Sequence, residues 1–302
     1  MLHHQVGRAV GAFHAPVTAR GGVGEIARAL ADSARAAGVE IRTGADVRHV
    51  KMQGGRAMGV VLANGDELAA ARIVSSADPR QTFMTLCDPS QLSPEFTSAV
   101  GNIKYKGAWA KVHLALDGVP KFAGATGDET IVIAPSLDYL ERAYDDAKYG
   151  KVSERPYLQV RVPSNADSSM APAGKSVVSV QMQYAPYKLR DGVWDAAARD
   201  ALGAKVVATL EEYAPGISKV VVKRQVLTPG DLEAEYSLPE GSAYHGELTL
   251  DQILFMRPVA GSSRYATPVP GLFMCGSGTH PGGGIAGGCG VLAAREILRN
   301  KA

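Results

Sequence analysis

Between Cys275 and Gly290 the chain reads CGSGTHPGGGIAGGCG, with eight glycines in sixteen residues. An apolar run, GLFM, precedes it and a helix-like stretch, VLAAREIL, follows. Glycine loses more conformational freedom on folding than any other residue. A cluster this dense means that the backbone turns sharply or lets something approach closely.

Two stretches fit the dinucleotide pattern G-x-G-x-x-G/A. The first, Gly22 to Ala27, opens a helix, and Glu40 follows at a suitable distance for a ribose carboxylate. The preceding AFHAPVTAR is broken by Pro16 and is no buried strand, so this reads as a tight entry into an amphipathic helix. The second, Gly282 to Gly287, has a strand before it and a helix after it. Unpaired N–H groups at a helix start attract negative charge. With no second strand or ribose-binding acid after it, the expectation is a last βα unit and not a first one.

Elsewhere the patterns alternate. GEIARALADSARAAG places Ile26, Leu30, Ala34 and Ala37 on one helical face, and VEIRT reads as a strand. Gly54-Gly55 and Asn64-Gly65 are hairpin signals, so residues 46–75 predict a three-stranded antiparallel meander. SSADPR (75–80) reads as a boundary. Beyond it, Ser93 caps a helix that opens with Pro94 and Glu95. AWAKVHLAL, PYLQVRV, SVVSVQMQY and KVVVKRQVL read as strands, and SLDYLERAYDDAKYG as a surface helix. VWDAAARDALGAKVVATLEEY reads as a long amphipathic helix, and 163–175 as an exposed loop.

The 302 residues suggest about two domains. Lys+Arg 32 against Asp+Glu 30 points to neither nucleic acid nor an anionic membrane surface. No apolar run approaches the ~20 residues of a spanning helix, and MLHHQVGRAVGAFH does not read as a signal peptide. Three cysteines without CxxC spacing suggest a reducing compartment, with the cytoplasm as the simplest reading.

GLFMCGSGTHPGGGIAGGCGVLAAREIL resembles the C-terminal flavin-contacting segment of the phytoene desaturase-like FAD oxidoreductases. GSAYHGELTLDQILFMRP (241–258) is similar to the segment preceding it, in the spelling of the pyridine nucleotide-disulfide oxidoreductase domain-containing branch. GGVGEIARALADSARAAGVEIRTGADV matches the family's helix and strand before the adenine-contacting position. The similarity is specific at 241–298, good at 21–80 and weak between.

The resemblance implies an FAD-dependent oxidoreductase, α/β and α+β in class. A partial, Rossmann-like FAD-binding domain with a β-meander (1–80 and 250–302) would join a mixed-sheet substrate domain (81–249). It implies that the Val47 amide lies near adenine and that Gly276 and Ser277 approach the ribityl-pyrophosphate region. Gly283, Gly284, Ile285, Ala286 and Gly287 would meet the pyrimidine edge of the flavin ring. A positive helix end there suits negative charge on reduced flavin. The chain lacks a redox cysteine pair, so disulfide chemistry is not supported. The family opens with a strand, G-x-G-x-x-G and helix, and nothing of that kind precedes residue 20. The expectation is a C-terminal portion only: a fragment, a chain whose other half is a separate partner, or a descendant that has lost FAD.

Among seven histidines no metal-ligand spacing occurs. His245 and His280 lie in the family-like segments, either facing a flavin pocket or, for His280, capping a turn beside Pro281. Arg257 could bind an anion or form a structural ion pair. GSGTH fails the nucleophile-elbow pattern because Cys275 takes the first glycine position. Cys289 sits in the last helix's first turn, as a reactive thiol or a small buried residue. Tyr184, Tyr187 and Trp194 could line an apolar cavity or form ordinary core. Two functions follow. One is hydride transfer from a mostly apolar substrate to flavin, with no side-chain base required. The other is a non-catalytic binding module that assembles with a partner or with itself.

Overall fold

The computed structural model describes residues 19–106, 109–125, 127, 129–284 and 287–299. Helix α1 (Gly24–Ala36) forms as its spacing predicts, but none of its residues is buried, and Leu30 is 65% exposed. VEIRT after it is not a strand. No neighbouring strand pairs with it among the described residues, and Val39 and Ile41 stay exposed. Without a partner ladder an apolar run cannot satisfy its backbone as sheet.

The meander forms as β1 (Val47–Gln53), β2 (Arg56–Leu62) and β3 (Glu67–Ala69), antiparallel in that order. The expected third strand is shorter than its sequence suggests. The chain breaks after Ala69 and re-forms as β4 (Ile73–Ser75), which pairs in parallel with β10 (Leu272–Met274). Asp78 caps the short helix α2 (Pro79–Gln81), and Ser93 caps α3 (Pro94–Gly101) through the Phe96 N–H at 3.2 Å.

Next come β5 (Trp109–Leu116), β6 (Ile131–Ile133), α4 (Leu137–Lys148), β7 (Tyr157–Arg161) and β8 (Ser176–Gln183). Helix α5 (Ala196–Tyr213), β9 (Val221–Leu227) and, after β10, helix α6 (Gly288–Arg299) complete the labelled elements. The expected loop at 163–175 contains two short helical turns, Pro163–Ala166 and Ser168–Met170. Pro163 supplies the fixed φ that starts the first of them.

The chain divides into two compact units, at other places than residues 80 and 250. The first gathers 42–106 and 233–299 of the described residues, and the second 19–41 and 109–232. Helix α1 therefore groups with the second unit, where the Gly21 N–H donates to the Asp167 carboxylate at 2.6 Å.

In the first unit, Phe83 and Phe96 meet edge-to-face at 4.8 Å within a core that includes Val100, Tyr105, Leu272 and Met274. In the second, the sheet runs β6-β7-β8-β5-β9, and strand alternation sends Ala110, Val112, Leu114 and Leu116 to one face. Leu202, Val206 and Leu210 of α5, spaced by four, are buried in that same core. Each buried leucine contributes about 1.5–3 kcal/mol.

Candidate functional site

The site in the first unit is built mainly from backbone. The three residues of β10 are all buried, and the Cys275 N–H extends the parallel ladder to the Ser75 carbonyl at 2.8 Å. At Gly276 the chain runs against the end of β4. A Cβ there would lie 2.2 Å from the Ser76 carbonyl oxygen, so only glycine fits. The Thr279 hydroxyl donates back to the Gly276 carbonyl at 2.8 Å, and the Gly282 N–H donates to the Thr279 carbonyl at 2.7 Å. These turns bring Gly282–Gly284 beside Ser277 just before α6 begins.

The result is an open cleft of about 220 Å³. Seven of its ten lining residues are glycines, with Cys275, Ser277 and Cys289. The first turn of α6 contributes Gly288, Cys289 and Gly290 to the wall, so the positive end of the helix faces the space. Cβ atoms built at Gly287 and Gly290 would meet nothing within 4 Å. The expected cofactor residues Gly276, Ser277, Gly283, Gly284 and Gly287 thus come together. Ile285 and Ala286 lie outside the described residues. Val47 opens β1 opposite Leu62 and does not line the cleft.

Behind the cleft lies Arg257, 3% exposed. Its Nε–H donates to the Ser277 carbonyl at 3.0 Å. One terminal nitrogen donates to Glu247 at 3.3 Å and Gln252 at 3.1 Å, the other to Tyr244 and to His245 at 3.3 Å, all carbonyls. All five donors of the guanidinium are used. No ion pair takes this side chain among the described residues. It holds the glycine turn to the 244–252 segment, and its charge stays buried beneath the cleft. Burial holds its pKa below the ordinary value, with Asp78 opposing.

Gln252 completes this polar core. It accepts the Lys104 N–H at 2.7 Å and donates to the Lys104 and Glu247 carbonyls at 3.1 and 3.2 Å. Nearby, the Tyr105 hydroxyl donates to Asp78 at 2.7 Å, and Arg80 lies 4.3 Å over the Tyr105 ring. Burial first, then Asp78, drives the Tyr105 phenol far above its usual pKa. Asp78, Tyr105 and Gln252 were not among the expected site residues. The Asp78-Pro79 helix start was their one local signal.

His245 has positive φ, and burial lowers its imidazole pKa against the opposing charge of Asp78. Its Nδ1 and Asp78 Oδ2 are buried with no hydrogen-bond partner among the described residues. The His280 carbonyl accepts the Tyr265 hydroxyl at 2.7 Å, and burial pushes that phenol up to about 12. Neither histidine lines the cleft. The buried Cys289 thiol donates to the Gly282 carbonyl at 3.2 Å, as a small packed residue would. In the second unit, Trp194 packs partly against the sheet core and donates to the Pro186 carbonyl at 3.0 Å. Tyr184 instead meets the rings of Tyr144 and Tyr157 at 5.1 and 6.5 Å.

Residues 3–298 match the family described as flavin containing amine oxidoreductase. The chain is 37% identical over 313 residues to pyridine nucleotide-disulfide oxidoreductase domain-containing protein 2 of Rattus norvegicus, covering 99% of this chain and 54% of that protein. It is 29% identical to a neurosporene-forming phytoene desaturase of Rhodobacter capsulatus, covering 92% of this chain and 52% of that enzyme. The chain spans about half the length of these curated relatives. Among solved structures, an oxidoreductase from Methanosarcina mazei superposes with a TM-score of 0.59 at 22% identity, covering 93% of this chain and 55% of that one. Putrescine oxidase bound to putrescine superposes with a TM-score of 0.52 at 15% identity, covering 94% and 54%. Both structural likenesses concern the fold.

Proposed function

The chain belongs to the flavin containing amine oxidoreductase family, and from that premise we propose that it forms part of an FAD site in an enzyme that takes hydride from a C–C or C–N bond of a mostly apolar substrate. The observation that carries this reading is the glycine cleft at the start of α6. Its residues fit a flavin: the space beside Gly287 and Gly290 admits a flat ring close to the backbone. When bound, FAD supplies the hydride-accepting centre.

The chain's own residues do the rest. The first turn of α6 offers N–H groups and a positive dipole to an electron-rich ring edge. Arg257 fixes the Ser277 carbonyl and adds buried positive charge behind it. A cleft of about 220 Å³ is smaller than the ~300–1,000 Å³ of most ligand pockets. The remaining cofactor contacts then come from protein outside these residues, in the same polypeptide or a partner. The unburied face of α1 with Val39 and Ile41 suits such an assembly. Its three free cysteines suit a reducing compartment such as the cytoplasm. Among the described residues no helix is long and apolar enough to cross a membrane.

The test is the intact protein purified from its source with whatever copurifies. Absorbance near ~450 nm that stays with it through gel filtration, and FAD released on heating, is the expected result. A colourless protein that takes up no added FAD overturns the enzymatic reading and leaves a binding module.

A further inference from the structure

Residues 238–257 are attached to the first unit in an unusual way. Three short 3₁₀ turns, Pro239–Gly241, Leu250–Gln252 and Leu254–Met256, interrupt an otherwise irregular path. The N–H groups of Gly241, His245, Gln252 and Arg257 each donate three residues back. Among the described residues one backbone-to-backbone bond leaves the segment, from the Glu247 N–H to the Lys104 carbonyl at 2.8 Å. Apolar burial does not hold it either. None of its leucine, isoleucine, phenylalanine, methionine or tyrosine residues is buried, and Leu250 and Phe255 are 89% and 72% exposed. Its backbone is also strained. Every non-glycine residue with positive φ among the described residues falls between Ser237 and Tyr265, and Glu240, His245 and Leu254 lie within this segment. A side chain opposes that conformation.

A few polar side chains do the holding. Arg257 gives one donor to the Ser277 carbonyl, outside the segment, and the others to the carbonyls of Tyr244, His245, Glu247 and Gln252 inside it. Gln252 joins the Lys104 backbone through both ends of its amide. One guanidinium thus links four carbonyls of the segment, so they are released together. Regions with few buried apolar contacts open below the free energy of global unfolding, and the strain favours release. The segment also backs onto the glycine wall of the cleft. A Cβ built at Gly283 would meet Tyr244 Cδ1 at 3.6 Å, and one at Gly282 would meet Leu248 Cδ2 at 4.0 Å. The Gly282 carbonyl in turn accepts the buried Cys289 thiol at 3.2 Å. Segment, glycine wall and thiol form one chain of contacts.

We propose that residues 238–257 are a strap, latched by Arg257, that opens as one unit and frees the glycine wall, so that the cleft has a held state and a released one. The strap stands on this geometry and not on the flavin reading. Site-resolved alkylation and hydrogen exchange of the full chain in rising, sub-denaturing urea test it. Cys289 reports release of the wall, and Cys87, buried in the core of the same unit, reports unfolding of that core. A local opening exposes little surface and responds weakly to urea. Cys289 alkylation and exchange of the 238–257 amides are therefore expected to share one shallow urea dependence, while Cys87 alkylation rises steeply. Arg257→Lys is expected to speed both strap signals at least about tenfold and to keep their slope shallow. Three results overturn the proposal: a Cys289 slope as steep as that of Cys87, unequal slopes for the thiol and the strap amides, or a folded Arg257→Lys protein that alkylates Cys289 at the wild-type rate. If that variant fails to fold, the wild-type slopes decide alone.

Discussion

The Arg257 Nε–H donates to the Ser277 carbonyl at 3.0 Å, across twenty residues of sequence. This bond ties the glycine turn to a segment that would otherwise be loop, and the other four donors of the same guanidinium hold that segment in place. Lysine cannot reproduce the fork, because its ammonium has three donors on one point. Arg257→Lys leaves at least two of the five carbonyls without their partner, at about 1–3 kcal/mol each. We expect a loss of about 2–4 kcal/mol in urea unfolding, with weaker FAD retention. Unchanged stability would show that the carbonyls are satisfied by solvent and that Arg257 does not hold the turn.

Tyr105 and Asp78 form a second buried pair, at 2.7 Å, at the start of α2. Tyr105→Phe keeps the ring under Arg80 and removes only the hydroxyl, so Asp78 loses a donor. The expected cost is about 1–2 kcal/mol. Tyr144→Phe, at a site 39% exposed, serves as the control and should stay within about 0.5 kcal/mol. Equal effects for the two variants would remove Asp78 from the framework of this site.

The glycine cleft was legible in the sequence because glycine density is a local signal, of sharp turns or of close approach to the backbone. Four of the five strands of the second unit's sheet were legible for a similar reason, since alternation in β5 and β8 survives in the folded sheet, whereas the three-residue β6 is too short to show a period. What local patterns missed was long-range pairing. VEIRT has strand composition, but a strand needs a neighbour, and none lies beside it among the described residues. The break between β3 and β4 is likewise set by a partner nearly two hundred residues away, in β10. Arg257 was conspicuous beside Pro258, but its five carbonyl acceptors are backbone atoms, which composition does not reveal. Asp78 and Gln252 matter through the same kind of contact.

Arg199 and Asp231 join through two bonds, at 2.6 and 3.1 Å, and Asp231 also accepts from the Thr228 N–H and hydroxyl. Arg199 above all holds the Asp231 carboxyl down to about 2. A carboxyl whose folded pKa lies below its unfolded value of 3.8 stabilises the fold fully above that value. The contribution is lost as pH falls through about 2. Both side chains are partly exposed, so solvent screening reduces the effect to about 1 kcal/mol. Asp231→Asn should lower stability by roughly that amount at pH 7, with the gap to wild type closing between about pH 5 and 2. Parallel stability curves across that range would place the pair outside the folding equilibrium.

Gly276 and Gly290 both line the cleft, yet substitution should act on them in opposite ways. At Gly276 an added Cβ would sit 2.2 Å from the Ser76 carbonyl oxygen, which is backbone and cannot swing aside. Gly276→Ala is therefore expected to destabilise the protein by more than about 2 kcal/mol and to lose flavin with the fold. Gly290 lies in the first turn of α6, and its Cβ would meet nothing within 4 Å. Alanine there should raise stability by about 0.5–1 kcal/mol, because it is the better helix former. The same methyl group points into open cleft, where a ring lying on the backbone would need the space. Gly290→Ala is thus expected to be more stable than wild type and to bind FAD at least about tenfold more weakly, read by thermal unfolding and by flavin fluorescence titration. A Gly290→Ala protein that is stabilised and still loads FAD like wild type would move the flavin away from the start of α6, and the glycines there would be architecture alone.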